Sequence, residues 1–223
     1  MYVLKFRGAG QGPKVLVAEL IAGEIGRALG LRVPEIVFAE LDAELARTEP
    51  DPEIQDLIRA SAGLNLGLDY LPGSVTYDPV VDAVDEDLAS SVVWFDAFLS
   101  NVDRTPRNAN MLLWHRNLWL IDHGSALYFH HGEDRYLHRA DDPFPLIKNH
   151  VMLANADALP EVDERMTRSI TPDIVETIAG LIPDTWLEVD AADRRGQYAA
   201  YLLERLERPH RFVEEAVRAR AAL

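Results

Sequence analysis

Residues 100–124 read SNVDRTPRNANMLLWHRNLWLIDHG. The stretch holds an Asp-Arg pair (Asp103, Arg104), the asparagines Asn108 and Asn110, two short apolar runs, and a second aspartate, Asp122, followed by Gly124. Met111–Trp114 and Leu118–Ile121 read as strands joined by the three-residue turn His115-Arg116-Asn117. If Trp114 pairs with Leu118, then Met111 pairs with Ile121 and Asn110 lies across from Asp122. Directly opposed residues of an antiparallel pair have Cα atoms roughly 4.5–5.5 Å apart. Asn110 and Asp122 then offer two oxygen ligands at one end of the hairpin. Asn108 lies two residues further out, and Asp103 sits in the loop before it.

That donor set has a chemistry. A carboxylate with a carboxamide oxygen suits a hard cation, and Mg²⁺ completes its octahedron with water and substrate phosphates. An aspartate five to seven residues before the asparagines then stands near an attacking hydroxyl. Kinase-type phosphoryl transfer divides labour in this way: one Asp accepts the hydroxyl proton while an Asn and a later Asp hold the metal. The ordinary alternative is that Asp and Asn beside hairpins bond their own backbone as turn formers. Asn101, Asp103, Asn108 and Asn110, with Asp122 returning at the end of an apolar strand, exceed what a turn needs.

Outward from the loop, Leu88, Val92, Phe95 and Leu99 form a helical stripe ending just before Asn101. At the start of the chain, Tyr2–Phe6 reads as a strand and Arg7–Lys14, RGAGQGPK, as a glycine-rich loop. A helix over Val15–Leu29 carries Val17, Ile21, Ile25, Ala28 and Leu29 on one stripe, with Gly30 as its cap and Pro34 beyond. Glu35–Leu41 reads as a strand, Pro50–Ser61 as a short helix opened by proline, and Leu64–Gly73 as a strand leaving into a turn. After about Ala156 the chain reads as helical, with Thr171 and Pro172 as cap and first residue of one helix. Strands first and helices later predict an α+β fold, a small sheet lobe and a larger helical lobe meeting near residues 70–80.

The 223 residues suffice for a sizeable core, and 48% apolar content is that of ordinary globular proteins. A formal charge of −15 argues against direct nucleic-acid binding and against an anionic membrane as partner. There is no cysteine, hence no disulfide and no thiolate metal site. The N-terminus lacks a signal-like apolar run, and no 18 apolar residues run together, so a cytoplasmic location is expected.

Asp103-Arg104, then Asn108 five residues on, then LWLIDHG resembles the catalytic loop and metal-binding Asp of HipA-like kinases and, more distantly, of phosphatidylinositol kinases. YVLKF resembles that family's strand with an ATP-contacting lysine, here Lys5, and AELIAGEIGRALGLRVPE resembles the helix that follows, with Glu19 placed to pair with it. The resemblance covers about residues 2–40 and 64–130. It implies one two-lobed, protein-kinase-like domain over 1–223, a small β-sheet N-lobe (1–74), shortened at its start, and a mostly helical C-lobe (75–223). It implies Asp103 as general base, Asn108 and Asp122 on Mg²⁺, Lys5 on nucleotide phosphates, Glu19 orienting Lys5, and Asp69, Tyr70 and Leu71 near the hinge that grips adenine. Arg104 either contacts phosphate or braces Asp103. Family spacing favours Asn108 as the metal ligand, and the hairpin register favours Asn110; both are kept. The cofactors implied are ATP and Mg²⁺, and the substrate class is a protein Ser or Thr hydroxyl. Pairing with an antitoxin-type partner is not readable from one chain.

The family has a glycine-containing phosphate loop before the lysine strand, whereas here the lysine is the fifth residue. Either the chain starts late, or RGAGQG after the strand does some of that work, its backbone N–H groups cradling phosphate. Two rival readings differ in class. One is a kinase-like fold that binds nucleotide or a partner without transfer. The other is a zinc site among His123, His130, His131 and His138, although none of these has the i, i+4 spacing of a helical zinc motif.

Overall fold

The computed structural model describes residues 1–132, 139–187 and 190–223. Strand β1 (Tyr2–Lys5) leads through the glycine loop into helix α1 (Pro13–Ala28). The helix starts earlier than its stripe predicts because Pro13 is pre-set for the first helical turn. It stops where expected: Gly30 takes φ 78°, and the Leu31 amide reaches back to the Gly26 carbonyl at 2.9 Å. The expected single apolar stripe is too narrow a description. Leu16–Gly23 are all buried, because α1 is wedged between strands on one side and C-terminal helices on the other.

Strand β2 (Ile36–Leu41), helix α2 (Pro52–Ala60) and strand β3 (Gly63–Asp69) follow, with a 3₁₀ turn over Ala43–Thr48 that no pattern announced. Asp51 caps α2 by accepting the Glu53 amide at 2.8 Å. The first sheet is antiparallel in the order β1-β3-β2, with Lys5 opposite Leu66. Strand β4 (Val75–Thr76), helix α3 (Glu86–Phe98), strand β5 (Met111–Trp114) and strand β6 (Asn117–Leu120) follow, and β4-β5-β6 form a second sheet. Helix α3, capped by Asp85 on the Leu88 amide, is buried on all sides from Ala89 to Phe98. The C-terminal third packs α4 (Leu159–Ser169), α5 (Pro172–Gly180), α6 (Ala191–Glu207) and α7 (His210–Arg220) around α3 and α1. Thr171 and Pro172 open α5 as expected.

The β5–β6 register differs from the expectation by one residue. Trp114 pairs with Asn117, and Met111 with Leu120. The turn is therefore two residues, His115 and Arg116, both left-handed at φ 48° and 65°. Such a turn matches the right-handed twist of the strands it joins. The usual Asn-Gly signal is absent, and the Asn117 side chain instead donates to the His115 carbonyl at 3.0 Å. Asn110 thus faces Ile121, whose amide donates to its carbonyl at 3.0 Å, and not Asp122.

One hydrophobic cluster runs through α1, α3, the hairpin and the C-terminal helices, so both sides of the expected boundary near residue 74 share a core. Among the described residues no helix is long and apolar enough to cross a membrane.

Candidate active site

The loop after α3 rests on a buried carboxylate. Asp96 lies inside α3, fully buried, and accepts from Arg104 Nε (2.5 Å), His150 Nε2 (2.8 Å) and Asn101 Nδ2 (2.8 Å). The Met152 amide donates to His150 Nδ1, which leaves Nε2 to carry the proton shared with Asp96. Burial pushes the Asp96 carboxyl up, but Arg104 and His150 outweigh it and hold it well below the usual carboxylate range. Arg104 Nη1 goes on to the Asn110 carbonyl at 2.5 Å. At 1% exposure Arg104 lies beneath the loop and not in the cleft. Its guanidinium holds Asp96 and the Asn110 carbonyl, and among the described residues it makes no hydrogen bond to the Asp103 side chain.

On that base stand the polar residues. Asp103 Oδ2 accepts from Asn108 Nδ2 at 2.7 Å and from Asn110 Nδ2 at 3.4 Å. Asn110 Nδ2 also lies 3.5 Å from the Asp122 carbonyl. The asparagines and both aspartates do converge, though by a different route from the one expected. Asn110 and Asp122 are both left-handed, at φ 49° and 55°, and these kinks turn the chain where a straight ladder would have separated them.

The second cluster hangs from Lys5 at the end of β1. Its Nζ is 2.5 Å from Asp122 Oδ1 and 3.7 Å from Glu19 Oε2. Glu19 is 1% exposed, and its Oε1 is 3.3 Å from Nδ1 of His123, itself buried and edge-on to Phe95. Burial pushes the Glu19 carboxyl up, but His123 and Lys5 together hold it below the ordinary value. For Lys5 burial acts downward, and the Glu19 and Asp122 charges outweigh it, so its pKa is raised. Gly124 lets this segment meet α1: a Cβ there would lie 2.6 Å from Val15 Cγ1.

Lys5 and Asp122 line a cavity of about 280 Å³ between the two sheets. Its apolar walls are Val3, Leu68, Leu112 and Ile121, and Asp69, Tyr70 and Leu71 line it too. The amides of Asp69 and Tyr70 are engaged by the carbonyls of Glu35 and Met1. None of Arg7–Gly12 lines the cavity. The glycine loop is instead pinned to the α2–β3 junction: Asn65 accepts the Arg7 amide (2.8 Å), and Ser61 Oγ accepts the Gly8 amide (3.1 Å). The expectation that RGAGQG cradles the phosphates is not met by this arrangement.

Among the described residues, the histidines do not converge on a zinc site. His123 turns to Glu19, His130 and His131 face each other at 3.1 Å between Nε2 atoms, and His138 lies outside the described residues. Among the described residues no group of three or more His, Cys, Asp or Glu could hold a metal. Sequence reasoning missed Asp96 and His150. The available signal was a charge inside the apolar helix VVWFDAFL, which must find a partner once buried.

The family model of HipA-like kinases matches residues 1–212. The chain belongs to the HipA-like kinase family. A solved structure of like fold is that of a Helicobacter pylori proinflammatory kinase, CtkA, with TM-score 0.54 and 14% identity over 100% of this chain and 92% of that one. That likeness supports the kinase-like fold of this HipA-like chain. No curated protein matches its sequence.

Proposed function

We propose that this HipA-like protein transfers the γ-phosphoryl group of ATP, with Mg²⁺, to a Ser or Thr hydroxyl of a protein. The observation that carries the reading is Lys5 bridging Asp122 and Glu19 at the mouth of the inter-sheet cavity, beside Asp103 and its two asparagines. The cavity has apolar walls for a base, and the Leu71 amide has no acceptor among the described residues, so it is free to meet one. Lys5 holds phosphate oxygens, and Glu19, fixed by His123, steadies Lys5 from behind. Asp103 accepts the proton of the acceptor hydroxyl.

The donor set fits a hard cation. Asp122 is 49% exposed, Asn108 is exposed beside Asp103, and one carboxylate with one carboxamide leaves room for water and phosphate oxygens. When bound, Mg²⁺ would neutralise charge developing between the β- and γ-phosphates. Asn108 and Asp122 would hold it. Asn110, nine-tenths buried, ties the Asp103 carboxylate to the Asp122 backbone. One observation favours a role limited to binding: the glycine loop is docked away from the cavity.

The test is a thermal shift of wild type and Asp122→Asn, each with and without Mg²⁺-ATP. Ligand at about 100 times its Kd stabilises by roughly 2.7 kcal/mol, on the order of 5–10 °C for a chain of this size. A shift in wild type alone, and only with Mg²⁺, is expected. Equal shifts in both proteins would remove Asp122 from the site. Transfer from labelled ATP to protein Ser or Thr separates the catalytic reading from binding alone.

A further inference from the structure

A second concavity, of about 640 Å³, is lined by residues that follow Asp103 on the loop after α3. Thr105, Pro106 and Arg107 form one wall, and Lys148, Asn149 and Val151 belong to the other. It shares no lining residue with the inter-sheet cavity. The walls are joined to the catalytic loop: the Thr105 amide donates to the Asp103 carbonyl and the Val151 amide to the Arg104 carbonyl, each at 3.0 Å. His150, between Asn149 and Val151, is anchored on Asp96.

The charge of this concavity is opposite to that of the chain. Asp and Glu make up 37 of 223 residues, about one in six, yet none of the ten lining residues is acidic. Arg107 and Lys148 are exposed, and among the described residues neither has a carboxylate within ion-pair distance. Arg165 and Arg208 do find acids, Asp87 and Asp141, whereas the exposed Arg32, Arg116 and Arg211, like Arg107, have no ion pair among the described residues. Among the described residues, two cations without an ion-pair partner thus share a recess lined by no Asp or Glu, beginning two residues along the loop from Asp103.

We propose that this recess receives an acidic side chain flanking the acceptor hydroxyl of a protein substrate, with Arg107 and Lys148 selecting it. The inference rests on the kinase reading above and adds its substrate class. An extended peptide advances roughly 3.3 Å per residue. The recess wall begins at Thr105, two residues beyond Asp103, so it is assigned to a substrate residue a few positions from the acceptor. The rest of the molecule repels an acidic peptide, so the attraction is local and confined to about a Debye length, near 10 Å at 0.1 M salt.

The experiment measures binding of labelled 11-residue peptides with a central Ser flanked by Glu, by Ala or by Lys. The proteins are wild type and Arg107→Glu/Lys148→Glu, each at about 50 and 200 mM salt. The Glu peptide should bind wild type at least ten-fold more tightly than the Lys peptide and weaken with salt. The double variant should lose or reverse that preference. No binding of the Glu peptide, no preference among the peptides, or a preference that survives both substitutions overturns the proposal. The Mg²⁺-ATP shift on the same samples tests the kinase reading separately. Its presence with charge-blind peptide binding sinks the recess alone. Its absence in wild type, with Glu selectivity intact, sinks the acceptor role and leaves an acidic-peptide site.

Discussion

Asp96 and Asp103 are both carboxylates of the proposed catalytic segment, but their surroundings differ. Asp96 is buried and bonded to Arg104, His150 and Asn101. Asp103 is partly open, and among the described residues its carboxylate is met only by carboxamides. Asp96→Asn would leave the Arg104 charge buried without its partner, at a cost of about 3–5 kcal/mol, read as a fall in urea midpoint. The folded carboxyl lies below its ordinary 3.8, so its contribution is fully present above about pH 4 and is lost as pH falls further. Wild type should therefore lose stability more steeply on acidification than Asp96→Asn does; parallel acid titrations would contradict this. Asp103→Ala, by contrast, should keep the fold and the Mg²⁺-ATP shift while losing turnover by about 10²–10⁴-fold. Equal activity in variant and wild type would exclude Asp103 as the base.

At the scale of elements, the close approach of the DHG segment to α1 sets the site. A Cβ at Gly124 would lie 2.6 Å from Val15 Cγ1 in the first turns of α1. Gly124→Ala should cost about 1–3 kcal/mol through overpacking, and Val15→Ala should recover part of it. A double-mutant cycle in thermal melts checks this, and additive losses would place the strain elsewhere. Helices α1, α3 and α5 and the hairpin strands were legible because period and caps are local properties of the chain. The hairpin register was not. Its turn is His-Arg in left-handed conformations, and no glycine or asparagine announces it at those two positions. The narrow stripes read on α1 and α3 likewise understate burial, since a helix covered on all sides is defined by its neighbours.

Across the whole molecule, Arg205 of α6 links the C-terminal helices to the end of α3 and the loop that follows it. Its buried guanidinium donates to the carbonyls of Ala97 and Phe98 at the end of α3, and to those of Ala140 and Asp142. A cation suits the carbonyl end of a helix. Arg205→Met should strand these carbonyls and cost on the order of 3 kcal/mol or more, lowering stability and activity together where Asp103→Ala lowers activity alone. A urea midpoint unchanged by Arg205→Met would show that other groups secure this junction. The sequence by itself determined the order of strands and helices and the spacing of Asp103, Asn108 and Asp122, because periodicity, capping and motif spacing are written along the chain. Only the tertiary structure decided that Lys5 reaches Asp122 across 117 positions, that Glu19 is buried against His123, that Arg104 serves Asp96, and that the glycine loop turns from the cavity. Most of those contacts join groups far apart in sequence, and which partner a buried group meets is settled by the packing that brings the elements together.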